Sequence, residues 1–558
     1  MKRLPILAIA FFLLTLSSCK NKSGLFIPTD AVAVVHVNPS SLSSKISWSD
    51  IKNSDWFKEM HSLVDDTLTQ KVLDNPEAAG MDVKNDFFFF IAQSGSNGYS
   101  IIEGNIKDAK LFEGFNLRMN EKNRVQTDGN YKIIMMEDSS SLVAWNDKKF
   151  AYIHNRPELG MHNSFGNRRE DGNNTNSFGA DSLRLVVKSV LNNEGTSLHD
   201  DDRFEGLMKE TGDVHLWLNS SSVMKSIGGG YTDMMKVSAF QEGNATGAAL
   251  VFEDGKITIK AKSFLNKELA KLMDKYDSKN ISADILKRLP SQNVMGVMAT
   301  NINPQTVREI LKAAGFEGLA NSALSKKDVT LDDIFTAVNG QFLFTVSDVQ
   351  MKDSIMSFPG EDGKLKQTIK VRNPDYTILV ASGVNNQASF QKLLDMAISK
   401  NGPAPFYYKL SNQWFAAGNK PASVDAFMAG GSNQQPWADK LTGHPFGMYI
   451  NLQKIFTSHL SEDSTMNAFM IEAAAVWQDI VASGGEIKNG TSTAEFVVNM
   501  IDKKTNSLKQ LNTFLSRMND VKNKMMRRNM DDDMHDNMFR DSLASPTKPL
   551  RPAIDPAN

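Results

Sequence analysis

Four times along this chain a short apolar run ends at an asparagine and gives way to a polar-started helical pattern. The runs are Ala31–Val37 before Asn38, Asp213–Leu218 before Asn219, Val294–Thr300 before Asn301 and Phe446–Ile450 before Asn451. Asparagine suits a strand-to-helix junction because its side-chain oxygen can accept a bond from the orphan N–H groups of the first helical turn. Two of the runs also open alike, with Ile27-Pro28-Thr29-Asp30 matched by Leu289-Pro290-Ser291-Gln292. At the third run the junction slips between Asn301 and Asn303, so the register there stays open. Recurrence of one supersecondary unit restricts the chain to a repeat-built architecture.

The segments after each start recur too. Phe87–Ile91 and Tyr99–Ile102 flank Gly95-Ser96-Asn97-Gly98, and Ala248–Phe252 and Lys256–Lys262 flank Asp254-Gly255. Asp479–Ile487 and Thr491–Met500 flank Asn489-Gly490, while Gln341–Val346 pairs with Tyr376–Ala381 across a long polar insertion. Asp-Gly and Asn-Gly between alternating apolar runs are the strongest short hairpin signals. A helical pattern comes next each time, at Lys107–Phe115, Lys267–Tyr276, Gln387–Ile398 and Asn506–Met518. The first and third units add a meander, Tyr131–Met136, Ser141–Trp145 and Lys149–His154 in one, Phe406–Leu410 and Gln413–Ala417 in the other. The expected fold is therefore α+β: tandemly duplicated units of antiparallel sheet with helices packed on one face.

The expected boundaries are a long unit at 27–154, a polar linker at 155–180, a short unit at 181–280, a second long unit at 281–418, a linker at 419–443 and a second short unit at 444–518. Residues 519–558 read as a methionine-rich charged helix followed by a proline-rich disordered tail, in which Pro546, Pro549, Pro552 and Pro556 hold the chain extended.

The N-terminus constrains the compartment. Lys2 and Arg3 precede an almost wholly apolar run from Leu4 to Leu16. That run is shorter than the ~20 residues a spanning helix needs and reads as the core of an export signal. It closes on Leu16-Ser17-Ser18-Cys19, which looks like a bacterial lipobox, and Cys19 is the only cysteine of the chain. The expectation is cleavage after residue 18, lipid attachment at Cys19 and a tether over 19–26. With acidic residues absent from Lys20-Asn21-Lys22-Ser23-Gly24, a periplasmic face of the outer membrane is favoured over the cell surface.

Composition narrows the partners. Lys and Arg number 62 against 64 Asp and Glu, and no basic stripe stands out, so a nucleic-acid partner is not expected. The expected partners are the membrane, through Cys19, and another envelope protein. No cofactor is expected.

Candidate site residues are few. Two positions before the junction asparagine stand His36, Trp217 and Tyr449, between aliphatic neighbours. Because a strand alternates faces, one face would pack under helices and the other would present these polar-tipped rings to a ligand, pack them against the other half of the chain or leave them in ordinary half-buried sheet. Met526, Met530, Met534 and Met538 recur every four residues: thioethers that could hold copper(I), or an apolar stripe for a partner, or plain packing. His199-Asp200-Asp201-Asp202 lacks the spaced oxygens of a calcium loop and reads as a cap for the helix beginning near Arg203. There is no His-Glu-x-x-His, nucleophile elbow or phosphate-cradling loop, so no catalytic residue is assigned.

Ile27-Pro28-Thr29-Asp30-Ala31, Ser41-Leu42-Ser43-Ser44-Lys45, Trp48-Ser49-Asp50-Ile51 and Ser54-Asp55-Trp56-Phe57 resemble the opening of a lipoprotein family of Bacteroidota designated domain of unknown function 4836. The resemblance implies the envelope compartment and the order of units. It implies no activity, ligand or catalytic residue. The expected function is a non-enzymatic binding or scaffold lipoprotein; the alternative is an envelope hydrolase whose site is assembled only in the fold.

Overall fold

The computed structural model describes residues 24–94, 97–136, 140–157, 179–220, 242–276, 278–325, 328–359, 365–398, 406–458 and 464–543. The leader 1–18, Cys19 and most of the tether lie outside the described residues, as do most of the 155–180 segment and the proline-rich end.

Among the described residues, eighteen strands form one sheet, and with the helices packed on it the fold is α+β. In chain order they are β1 (Ala31–Val37), β2 (Phe87–Ser94), β3 (Asn97–Asn105), β4 (Gln126–Asp128), β5 (Tyr131–Met135), β6 (Ser141–Trp145), β7 (Lys149–Pro157), β8 (Val214–Asn219), β9 (Ala245–Glu253) and β10 (Lys256–Phe264). Next come β11 (Val294–Asn301), β12 (Val338–Pro359), β13 (Leu365–Val384), β14 (Tyr407–Leu410), β15 (Trp414–Gly418), β16 (Phe446–Ile450), β17 (Trp477–Lys488) and β18 (Thr491–Met500). All pairings are antiparallel. The first ten strands stand in the order β4-β5-β6-β7-β3-β2-β1-β8-β9-β10. The sheet then continues through β10–β18 as β18-β17-β16-β11-β12-β13-β15-β14.

The junction asparagines act much as their chemistry dictates. Asn38 Oδ1 accepts from the Ser41 N–H, and Asn451 Oδ1 from the Lys454 N–H. At the third start the cap is Asn303, bonded to the Gln305 N–H, while the Asn301 side chain donates to the Asn280 carbonyl. Asn489 and Gly490 take φ of 52° and 72°, the left-handed pair that a two-residue hairpin between β17 and β18 requires.

Four expectations are corrected. First, at the β2–β7 end of the sheet helices cover both faces. Ile133, Leu142, Ala144, Ala151 and Ile153 pack with Leu183 and Val187 of the helix Ala180–Asn192, whereas Ile134, Val143, Trp145 and Phe150 pack with Phe112 and Phe115 of the helix Ala109–Arg118. Strands such as Leu142-Val143-Ala144-Trp145 are apolar at every position, which suits burial on two sides. Second, the polar insertion between β12 and β13 is a continued ribbon, paired from Gln350↔Asp375 out to Pro359↔Leu365.

Third, 419–443 is no linker. It forms the helices Pro421–Ala429 and Ala438–Leu441, and Val424, Phe427, Trp437 and Leu441 enter the core beside Leu343, Leu379 and Val481. Fourth, the boundary at 518 falls inside one helix, Ser507–Leu543. That helix docks on the helix Asp55–Ser62 near the start of the body. Trp56 Nε1 donates to Asn512 Oδ1 at 2.9 Å, and the Glu59 carboxylate gathers Asn519, Lys522 and Asn523. Among the described residues, no helix is long and apolar enough to cross a membrane.

Candidate functional site

Two clefts open at corresponding places in the sheet, one beside β8 and one beside β16. β8 is the neighbour of β1, and β16 is the neighbour of β11. The first cleft, about 640 Å³, is bounded by Trp217, Asn219, Asp200, Asp201, Asp202 and Arg203, with Thr29 and Ser197 at its side. The second, about 440 Å³, is bounded by Tyr449, Asn451, Trp437, Lys440, Lys454 and Lys503, with Asp479 among them. In each, the junction asparagine and the ring two positions before it line the same cleft.

The rings do not face outward as expected. His36, Trp217 and Tyr449 are 5 %, 3 % and 7 % exposed, and Trp217 and Tyr449 belong to the two main cores. It is the aliphatic set that faces out on β8, where Leu216 and Leu218 are 41 % and 38 % exposed. An aromatic side chain removes more apolar area from water than an aliphatic one, so the rings fill the deeper positions, and Trp217 and Tyr449 reach the clefts only as part of their lining.

His36 lies in neither cleft. It pairs with His215 across β1 and β8, Nδ1 to Nδ1 at 3.0 Å, and stacks on Phe88 with ring centroids 4.7 Å apart. His215 Nε2 lies 3.1 Å from the Glu210 carbonyl, which can only accept, so this nitrogen donates. Burial, then the neighbouring His36, pushes the His215 imidazole below its ordinary range. A neutral His215 leaves Nδ1 as the acceptor of a proton donated by His36. The His36 Nε2 faces Asp86 at 3.4 Å. His215 is the site-like residue that the junction pattern missed. It stands four positions before Asn219, on the same face as Trp217.

Charge separates the clefts. In the first, Arg203 is fully engaged: its Nε and one Nη donate to both Asp201 oxygens, its other Nη donates to the Gly243 carbonyl, and its guanidinium sits 5.7 Å from the Trp217 ring centre. That bond to Arg203 holds the Asp201 carboxyl below the usual range. Asp201 caps the helix Asp202–Met208, and Asp200 closes a capping box with Ser197. The acidic run is thus a cap, and what remains of its charge makes the cleft negative. In the second cleft three lysines stand against the single Asp479.

Of the four methionines, Met526 is exposed on the helix Ser507–Leu543; the side chains of Met530, Met534 and Met538 lie outside the described ones. No group of three or more His, Cys, Asp or Glu side chains placed to hold a metal ion occurs among the described residues. Ser141 Oγ and His154 Nδ1 lie 2.6 Å apart on the paired strands β6 and β7. No carboxylate pairs with His154 among the described residues, and neither residue lines either cleft.

The family described as a domain of unknown function, DUF4836, matches residues 25–360, more than half of the chain. The chain belongs to this family. The DUF4836 match contains the His36–His215 pair and the whole first cleft, whereas the second cleft is built mainly from residues beyond it. No curated protein matches. Among solved structures, the chain is similar to TP0453 in crystal forms III, I and IV, at 9 %, 10 % and 12 % identity. Those alignments cover 48 %, 47 % and 47 % of this chain and 90 %, 90 % and 88 % of those chains, each with a TM-score of 0.25.

Proposed function

We propose that this is a lipid-anchored envelope protein of Bacteroidota, cut after residue 18, tethered to the outer membrane through Cys19 and facing the periplasm, and that it works by binding rather than by catalysis. The observation that carries the binding reading is the pair of clefts, each lined by a ring and an asparagine at the same strand position, with a negative excess of charge in the first and a positive excess in the second. The strand order β7-β3-β2-β1-β8-β9-β10 recurs as β15-β13-β12-β11-β16-β17-β18, which supports a tandem duplication as the origin of both clefts. The tether rests on the lipobox and the lone cysteine. Firm attachment takes two acyl chains, since each buried CH₂ contributes ~0.8 kcal/mol and one chain anchors only marginally.

Growth with labelled palmitate tests the tether. Label is expected in the wild-type protein and absent from Cys19→Ala, which should leave the membrane fraction. An unmodified Cys19 with the leader still attached would overturn the anchoring. A partner is sought by cross-linking the tethered protein in membranes.

The hydrolase alternative has one specific observation behind it, the Ser141–His154 contact. It predicts hydrolysis of activated esters that Ser141→Ala abolishes.

A further inference from the structure

We propose that the second cleft binds a small anionic ligand, a phosphate or carboxylate on a hydroxylated, sugar-like body, held between the ammonium groups of Lys440 and Lys503. The proposal deepens the binding reading above and rests on it.

Three elements bring the lysines together: Lys440 from the helix Ala438–Leu441, Lys454 from the helix Leu452–Ser458 that Asn451 caps, and Lys503 from the turn after β18. They are not equivalent. Lys454 is occupied, its Nζ donating to Asn293 Oδ1 at 2.5 Å. Lys440 and Lys503 form neither an ion pair nor a side-chain hydrogen bond among the described residues. Lys503 is exposed, yet the partial desolvation of its ammonium lowers it from its ordinary range; Asp479 pulls it back, and the charge of Lys440 lowers it again. Asp479 is itself engaged by Asn499, whose Nδ2 donates at 2.7 Å.

Two like charges turned into one cleft repel, and the fold gives them one carboxylate between them. An anion placed there turns that repulsion into two attractions. Ammonium groups bind phosphate as point charges without demanding a fixed fork, which suits a site built from separate elements. The floor sets the rest of the ligand. Trp437 and Tyr449 stack on each other, centroids 4.6 Å apart at 11°, and both are buried, so neither offers an open face for a flat aromatic ligand to lie on. Gln292, Gln435 and Gln478 line the walls; the Gln435 Nε2 is spent on Gln292 and Asn433, which leaves the Gln478 amide to donate to and accept from hydroxyls. A volume of about 440 Å³ falls within the ~300–1,000 Å³ of small-ligand pockets. The first cleft, negative and with its one arginine engaged, would repel the same ligand.

The test is calorimetric titration of the full mature chain with glucose 6-phosphate, glucuronate, inorganic phosphate and glucose. Saturable binding is expected for the sugar phosphate or the sugar acid and none for glucose. The variant Lys440→Gln/Lys503→Gln should bind at least tenfold more weakly, while Lys260→Ala/Lys409→Ala, which removes the same charge elsewhere, should bind as wild type does. Unchanged melting temperature in the cleft variant shows that folding is intact. Equal binding by wild type and cleft variant overturns the proposal, as does failure of every anion to saturate. Saturation by glucose alone also overturns it, yet leaves the cleft a ligand site and the binding reading standing.

Discussion

Glu103 on β3 is wholly buried, and burial pushes its carboxyl up to about 8 despite the opposing charge of Lys149. Lys149 is displaced downward, first by burial, and its ammonium is held by the Val190 carbonyl at 2.7 Å and Asn193 Oδ1 at 2.6 Å. A carboxyl whose folded pKa exceeds its unfolded value binds more protons in the native state, so it favours folding at low pH and loses that favour as pH rises from the ordinary carboxylate range through the folded value. Glu103→Gln mimics the protonated acid. Its melting temperature should match wild type near pH 5 and exceed it near pH 9, measured by thermal denaturation at both values. A difference that does not change with pH would show that Glu103 does not titrate in this window. Neither Glu103 nor its coupling to Lys149 was legible in the sequence, because the two stand far apart along the chain and only the β3–β7 pairing, Glu103 opposite Ala151, brings their strands together.

At the scale of elements, the segment 419–443 shows what pattern reading took and what it lost. Its Asn, Gly, Ser and Gln content resembles a connector, yet Pro421 begins a helix and Gly430, at φ 83°, ends it, with Val424 and Phe427 three apart between them. Proline just inside a helix and glycine just past it are start and stop signals, so the information was present and composition outweighed it. The two-faced burial at the β2–β7 end of the sheet was legible in the same way, from the unbroken run Phe87-Phe88-Phe89-Phe90 and from Leu142-Val143-Ala144-Trp145. What no local pattern could give is which lysines share a cleft, since Lys440, Lys454 and Lys503 meet only through the order β11-β16-β17-β18. Phe427 provides the check. It is fully buried, and Phe427→Ala should cost ~3–5 kcal/mol in urea denaturation, the loss typical of a large core side chain. A loss below ~0.5 kcal/mol is the surface expectation and would restore the connector reading.

At the scale of the whole molecule, the two runs of strands are joined by nine residue pairs between β10 and β18, from Lys256↔Asn499 to Phe264↔Thr491. The turn at Asp254-Gly255 is then gripped by the chain leaving β18. The Gly255 N–H donates to the Thr505 carbonyl at 3.0 Å, its carbonyl accepts from the Met500 N–H at 2.9 Å, and Asn506 Nδ2 donates to the Phe252 carbonyl. Gly255 has φ 67°, and a Cβ there would stand 2.5 Å from the Lys503 Cα. From this grip the helix Ser507–Leu543 runs back to Trp56 and Glu59, so the end of the second run is fastened to the first at two places. The halves should therefore unfold together, in one calorimetric transition. Gly255→Ala meets both a left-handed backbone, ~1–2 kcal/mol against a side chain, and a contact that only backbone movement relieves. It should lower that transition as a whole. If instead the variant splits the melt and leaves one component at the wild-type temperature, the β10–β18 joint does not couple the halves, and each run of strands holds its cleft independently.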